Sequence, residues 1–293
     1  MSQRSRFKLW LLIPVFGNWE DTSECLQALA RQNCRDFHVL IADDGSVTPP
    51  PPEVLQHAFV EYRHFPHSGF VHTCNQAADW ILGQGATHIL LLNNDTLMEP
   101  DFVDICLDYL DSDPDAILHP IIYWQKHPAK VWFSGGKHSV WVPFLRLRGV
   151  PSRPHAVDIA SGCCLAVPSS AWRRLGGFQE LYETYYEDFD FCLRARRAGF
   201  DVIVHPKWVL YHRVSRSFPA GHAWEKNYML IRSSLLFIRH NFSGWKKWFC
   251  LILKIIHIGY FMISCWPERF DRLLLRRAIA EGISLRIPED FHS

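Results

Sequence analysis

Chemistry is densest where short apolar runs end in oxygen-bearing side chains. The run Ile89, Leu90, Leu91, Leu92 stops at Asn93-Asn94-Asp95-Thr96, which sets two amides, a carboxylate and a hydroxyl at one tip. A carboxylate beside amide oxygens suits a hard divalent cation whose coordination is completed by water and phosphate. The same residues also suit a polar turn in which Asn94 or Asp95 caps the next helix. A second tip, Asp43-Asp44-Gly45-Ser46, follows the apolar run Phe37 to Ala42. Its carboxylates can accept hydrogen bonds from a base or ribose, and Gly45 permits a tight turn; Asp-Gly is equally a turn signal in its own right. A third group, Tyr185-Tyr186-Glu187-Asp188-Phe189-Asp190, opens a helical pattern that Gly199 closes. Acidic residues there favour the helix dipole. They also crowd, and mutual repulsion raises the proton affinity of at least one, which is useful in a general base. Of the cations that follow, Arg194 is expected to offset this charge, and Arg196 and Arg197 to lie on a solvated face. His212 ends Val209-Leu210-Tyr211, but it is one of 16 histidines and nothing in composition singles it out.

The elements that must position these tips alternate between strand and helix. Strands are expected at Phe7 to Val15, Phe37 to Ala42, Val60 to His64, His88 to Leu92 and Ala116 to Tyr123. Helices are expected at Thr22 to Gln32, Val71 to Leu82 and Asp101 to Leu110, with a short one after the stiff Pro49 to Pro52. Uncharged runs of strand length, joined by helical crossovers, imply a mainly parallel sheet covered on both faces. Such sheets bind ligands beyond the carboxyl ends of their strands, where the polar tips stand. Residues 124–156 lose this regularity and read as an insertion or hairpin. A strand at Ile159 to Val167, helices at Ser169 to Leu175 and Glu187 to Ala198, and a short strand at Val202 to Val204 follow. From Trp224 to about Ile283 the pattern is helical.

Composition narrows the class. The chain has 293 residues, 48% of them hydrophobic, enough for one large α/β domain with an appendage or two modest domains. A formal net charge of +1 and no long basic run argue against a nucleic-acid partner. Nine cysteines without a C-x-x-C pair fit free thiols in a cytoplasmic setting, and Cys163-Cys164 reads as small apolar packing within a strand. The opening MSQRSRFKLWLLIPV reads as a first strand and not a signal peptide, because Pro14 ends its apolar run early.

Seven stretches in this order, IPVFGNWE, IADDGS, HSGFVHTCNQAA, LLLNNDT, SGCCLAVPSSAWRRLGGFQE, YYEDFDFCLRARRAGF and VLYH, resemble the family 2 glycosyltransferases, especially their rhamnosyltransferase-like branch. The resemblance spans about residues 8–240. It implies an α/β GT-A fold with a C-terminal helical extension: a catalytic domain over residues 1–222, with a nucleotide-sugar half to about 120 and an acceptor and catalytic half over 121–222, then a helical region over 223–293. It implies a nucleotide-diphosphate sugar donor, UDP- or dTDP-linked, and a glycan or lipid-linked glycan acceptor in surface polysaccharide assembly. By residue, it sets Pro14, Phe16, Asp43, Asp44 and Asn75 at the donor, with Asn93 and Asn94 beside it. It makes Asp95 and His212 ligands of Mn²⁺ or Mg²⁺, and Asp188, with Glu187, the catalytic base of an inverting transfer. Gln179 stands where similar enzymes commonly carry Asp, and His72-Thr73-Cys74 replaces a Gly-rich stretch. Both departures leave the sugar open. A sugar nucleotidyltransferase and a non-catalytic glycan-binding relative are the competing readings; the first lacks a Gly-rich phosphate cradle after the opening strand. No Q-x-x-R-W sequence indicates a processive synthase.

Trp245 to Trp266 is long and apolar, but Lys247, Lys254, His257 and Ser264 recur on one helical stripe. That spacing suits a helix lying in a membrane interface at the inner face, with cations on its polar side. Packing on the catalytic domain or a homodimer interface is the alternative.

Overall fold

The computed structural model describes residues 7–137, 145–146, 149–213, 223–264 and 272–284. The fully buried β1 (Leu9–Val15) lies between β2 (Phe37–Asp44) and β4 (His88–Leu92), parallel to both, and β2 pairs in parallel with the edge strand β3 (Val60–Phe65). Helices α1 (Trp19–Ala30), α2 (Pro52–Leu55) and α3 (Phe70–Gly83) make the crossovers. The chain continues through the two-residue β5 (Thr96–Leu97) and α4 (Phe102–Ser112) to β6 (Ile117–Trp124), which turns back as β7 (His127–Phe133). Thus the irregular insertion begins with the hairpin expected there. Two-residue strands β8 (Gly136–Lys137), β9 (Leu145–Arg146) and β10 (His155–Ala156) follow, then β11 (Cys164–Pro168), α5 (Ser169–Leu175), α6 (Glu187–Arg197) and β12 (Val202–His212).

The sheet order is β10-β12-β6-β11-β4-β1-β2-β3. Strand β11 is antiparallel to both β4 and β6, and β12 is parallel to β6. Consequently β1, β2, β3, β4, β6 and β12 all run one way, and their carboxyl ends share one edge with the start of β11. Alternate residues of the buried strands face opposite helical layers, as the period of two requires. Trp10, Leu12, Leu40, Ile89 and Leu91 pack against α3, α5 and α6; Leu11, Ile13, Val39, Leu90 and Leu92 pack against α1 and α4.

Two expected strands have different bounds. The strand expected from Ile159 begins only at Cys164, because Ser161-Gly162-Cys163 turns the chain; Ile159 makes an isolated bridge to Gly136. The short strand at Val202 instead runs to His212, passing Pro206 through a register shift between His205 and Val209. A bulge absorbs the proline that otherwise would end a strand, and Trp208 there is fully buried against Phe102.

The C-terminal pattern resolves into α7 (Ala223–Asn241), α8 (Gly244–Ser264) and α9 (Arg272–Ser284). Leu235, Phe237, Cys250, Leu251, Leu275 and Ala278 from these helices join the apolar cluster on the α3–α5–α6 face. No helix among the described residues is long and apolar enough to cross a membrane. No disulfide joins the eight described cysteines, and burial pushes the Cys163 and Cys164 thiols well above the usual range.

Candidate active site

Three segments meet at the carboxyl edge. The tip of β4 carries Asn93, Asn94 and Asp95; the last residue of β12, His212, pairs with Thr96 across the sheet. The His212 Nε2 atom lies 3.1 Å from Asp95 Oδ1, and both side chains are buried. The contact lacks hydrogen-bond alignment: among the described residues, neither Asp95 side-chain oxygen nor His212 Nδ1 has a hydrogen-bond partner. A buried carboxylate so placed is costly unless something positive completes it. Trp132 of β7 meets His212 edge-on at 4.6 Å and fixes its ring plane. Asp95 and His212 therefore fit one side of a divalent cation. No group of three or more His, Cys, Asp or Glu among the described residues could hold a metal alone, so a cation here would need ligand oxygens and water to complete its shell, as hard cations at diphosphates allow.

The turn Ser161-Gly162-Cys163 ties this tip to α6. Cys163 O accepts from Asn93 N at 2.9 Å, and Gly162 N donates to Asp188 Oδ2 at 2.7 Å. Phe189 N donates to Asp188 Oδ1, also at 2.7 Å. Both oxygens of Asp188 are thus aimed by backbone, while the side chain remains only half-buried. Immediately before the helix, Tyr185 and Tyr186 both adopt left-handed backbone, with φ of 65° and 71°. Bulky residues rarely accept this conformation, and it persists where surroundings enforce it. Glu187 is buried; burial first, then the neighbouring Asp188 charge, raises its carboxyl well above the usual carboxylate range. Asp190 is also buried, but Arg194 pairs with it at 2.7 Å and reaches the carbonyls of Leu175 and Gly177, while Asn241 donates to it from α7. Arg194 is thus the charge-offsetting residue its position suggests. Arg196 and Arg197 sit farther out on Asp201 and Asn241.

The β2 tip differs. Asp43 accepts from Ser46 N at 3.0 Å and Ser46 Oγ, and from Tyr62 and His64 of β3 at 2.7 and 2.8 Å. Burial alone would raise its carboxyl, but these hydrogen bonds outweigh it and hold the group below the usual range. Asp44 accepts from the backbone of Ser68 and Gly69 and from Thr73 Oγ1, at 2.8 to 3.2 Å, tying β2 to the start of α3. Gly45, at φ 72°, is obligatory because a Cβ would come within 2.6 Å of His67 N. Outside this braced turn, Phe16 is 60% exposed and stacks on His67 at 4.6 Å.

Other expected donor residues have internal tasks. Asn75 donates to Phe178 O and accepts from Phe178 N, both at 2.9 Å, so its amide latches α3 to the loop after α5. Gly177, at φ 71°, leaves room for that latch; a Cβ would lie 2.5 Å from Asn75 Oδ1. Asn94 donates to Thr22 Oγ1 at 2.9 Å and faces α1. Pro14 is buried within β1 opposite Ala42. The two departures from the family pattern converge: His72 lies 3.2 Å from Glu180, next to Gln179.

Sequence reasoning missed Arg213. Its backbone N donates to Asp95 O at 3.0 Å, and its guanidinium joins Asp21, at 2.7 Å, and Glu24 of α1. Its place directly after His212 was the available signal. The turn 161–163 was legible only as part of an apolar stretch.

A model of glycosyl transferase family 2 matches residues 10–176, more than half of the chain. The chain belongs to glycosyl transferase family 2. This glycosyltransferase is similar to an N-acetylglucosaminyl-diphospho-decaprenol L-rhamnosyltransferase of Mycobacterium tuberculosis (strain CDC 1551 / Oshkosh), at 27% identity over 75% of this chain and 80% of that protein. Among solved structures it resembles a mannosyltransferase of Pyrobaculum calidifontis in complex with GDP-Man and Mn²⁺, with a TM-score of 0.60 and 14% identity over 95% of this chain and 81% of that one. GalNAc-T7 with UDP, GalNAc and Mn²⁺ gives a TM-score of 0.59 and 13% identity over 89% and 59%. The family 2 member therefore has the GT-A fold expected of it, and family membership sets aside the nucleotidyltransferase alternative.

Proposed function

We propose that this glycosyltransferase moves a sugar from a UDP- or dTDP-linked donor to a lipid-linked glycan acceptor, with inversion at the anomeric carbon, in surface polysaccharide assembly. The observation that carries the proposal is the bare carboxylate of Asp95, held 3.1 Å from His212 at the same sheet edge as the backbone-aimed Asp188. The name of the mycobacterial relative makes an L-rhamnosyl donor and a polyprenyl-diphosphate-linked N-acetylglucosamine the first pair to assay.

In this reading residues 1–222 form the catalytic unit and 223–293 a helical region serving acceptor access. Phe16 and Asp44 border the nucleotide, and Asp43 shapes their turn. Asn75, Asn93, Asn94 and Pro14 hold the donor-side loops. Asp95 and His212 would hold Mn²⁺ or Mg²⁺, which would supply Lewis-acid stabilisation of charge on the departing diphosphate. Asp188 takes the proton of the acceptor hydroxyl. The hydroxyl oxygen bonds to the anomeric carbon from the face opposite the diphosphate, whose bond to that carbon breaks with the electron pair. Burial first, and then the Asp188 charge, raise the Glu187 carboxyl, which disfavours a second negative charge beside the base.

Purified protein with Mn²⁺ and a panel of nucleotide sugars tests the assignment. Asp188→Asn should lower transfer by roughly 10²–10⁴ while donor binding by calorimetry persists. Unchanged turnover rejects Asp188 as base.

A further inference from the structure

Helix α8 leaves an apolar face outside the protein. Cys250, Leu251 and Ile258 face the protein. Lys254, on the stripe expected to face water, is half-buried among them, has no ion pair among the described residues, and has its proton affinity lowered by burial. The outward face is apolar instead: Trp248 is 62% exposed, Ile252 57% and Ile256 61%, with Ile255 beside them. Exposed Trp245 and Tyr260 stand toward the two ends of this stripe. Steps of about four residues align these side chains along one line of the helix. A soluble surface rarely carries so continuous an apolar strip without an interaction to cover it.

The charges beside the strip select the occupant. Helix α8 contains Lys246, Lys247 and Lys254 and no acidic residue. A second copy in a two-fold interface presents the same acid-free face, so α8 of one protomer offers no carboxylate to the cations of the other. An anionic lipid surface supplies both missing components, an apolar layer for Trp248, Ile252 and Ile256 and phosphates for Lys246 and Lys247. Trp and Tyr are also the residues favoured at headgroup depth.

We propose that α8 docks the enzyme on an anionic bilayer, with the Trp248–Ile252–Ile256 face immersed at the headgroup–acyl boundary and the catalytic domain on its aqueous side. The contact rests on the exposed face alone; only its use, bringing a lipid-linked acceptor to the sheet edge, rests on the function proposed above.

Vesicle flotation with the full chain tests the contact and requires neither donor nor turnover, so its failure and that of the enzymatic reading are distinguishable. Wild type should float with phosphatidylcholine–phosphatidylglycerol vesicles and more weakly with phosphatidylcholine alone. The triple variant Trp248→Ser, Ile252→Ser, Ile256→Ser should lose roughly 100-fold in partitioning, with unchanged circular dichroism. Lys246→Gln with Lys247→Gln should weaken binding to the anionic vesicles about tenfold and reduce its salt sensitivity. Single Ile252→Ser, expected to lose partitioning several-fold, serves if the triple variant does not fold. The proposal is overturned if wild type ignores both vesicle types, if the serine variants bind like wild type, or if wild type is a dimer in solution that the triple variant converts to monomer.

Discussion

Two polar tips stand on either side of β1 at one sheet edge and are built on opposite terms. At the end of β2, Asp43 and Asp44 are saturated with donors from β3, the Ser46 turn and the start of α3. At the end of β4, Asp95 is equally buried and its carboxylate has no hydrogen-bond donor among the described residues. A satisfied buried carboxylate organises a loop; an unsatisfied one is an incomplete site. Both tips read alike as acidic residues after an apolar run, yet only the second leaves its carboxylate without hydrogen-bond partners among the described residues, as the proposed cation site requires. The acidic start of α6 divides in the same way. Asp190 is neutralised by Arg194, Glu187 is pushed toward its neutral form, and Asp188 keeps both oxygens aimed and partly accessible.

Substitutions can break this contrast. After the loss from Asp188→Asn, the next largest effect on transfer should come from Asp95→Asn, roughly 10²–10³, with little change in melting temperature because no hydrogen bond within the protein is lost. A marked fall in stability would show that Asp95 is structural after all. Asp43→Asn should behave inversely, costing about 2–4 kcal/mol of stability as measured by urea unfolding, with activity lost only as the β2 turn loosens. Asn75→Ala removes two hydrogen bonds and should cost about 1–3 kcal/mol by urea unfolding, weakening donor binding only as the loop it latches loosens.

Acid and base titrations sharpen the comparison with smaller effects. The Asp43 carboxyl lies below its unfolded value, so it contributes stability above that value and loses it as pH falls through the folded one. Asp43→Asn should therefore flatten the acid limb of the stability profile. Glu187 has the opposite sign. Its folded value is raised, so the native state holds a proton that the unfolded state releases, and stability falls as pH rises above about 4.3, the unfolded value. Glu187→Gln should raise the melting temperature near about pH 8 and leave it unchanged near about pH 4. A variant whose melting curve tracks wild type at both pH values would mean that Glu187 is ionised in the folded protein.

Local pattern carried much of this molecule. Hydrophobic runs of strand length marked β1, β2, β4 and β6, because burial on both faces demands uninterrupted apolar residues. Parallel strands then had to deliver their polar ends to one edge, so the location of the site was legible before its geometry. Where local signals misled, a longer-range contact had overridden them. Pro206 was absorbed by a bulge buried under Trp208, and Lys254 of α8 was drawn toward the protein while the apolar face of that helix turned out.

By itself, the sequence determined the α/β class, the order of the strands and helices, and the family whose motifs they carry, because periodicity and spacing are properties of neighbouring residues. Tertiary structure decided which carboxylate is bare, which acid is raised, and which amide is a latch. Those outcomes depend on donors and charges brought from far along the chain: Asp44 is satisfied from 24 or more residues away, Asn75 from 103, and Arg213 reaches Asp21 across 192. A carboxylate's chemistry is set by what surrounds it, and the surroundings exist only once the chain has folded.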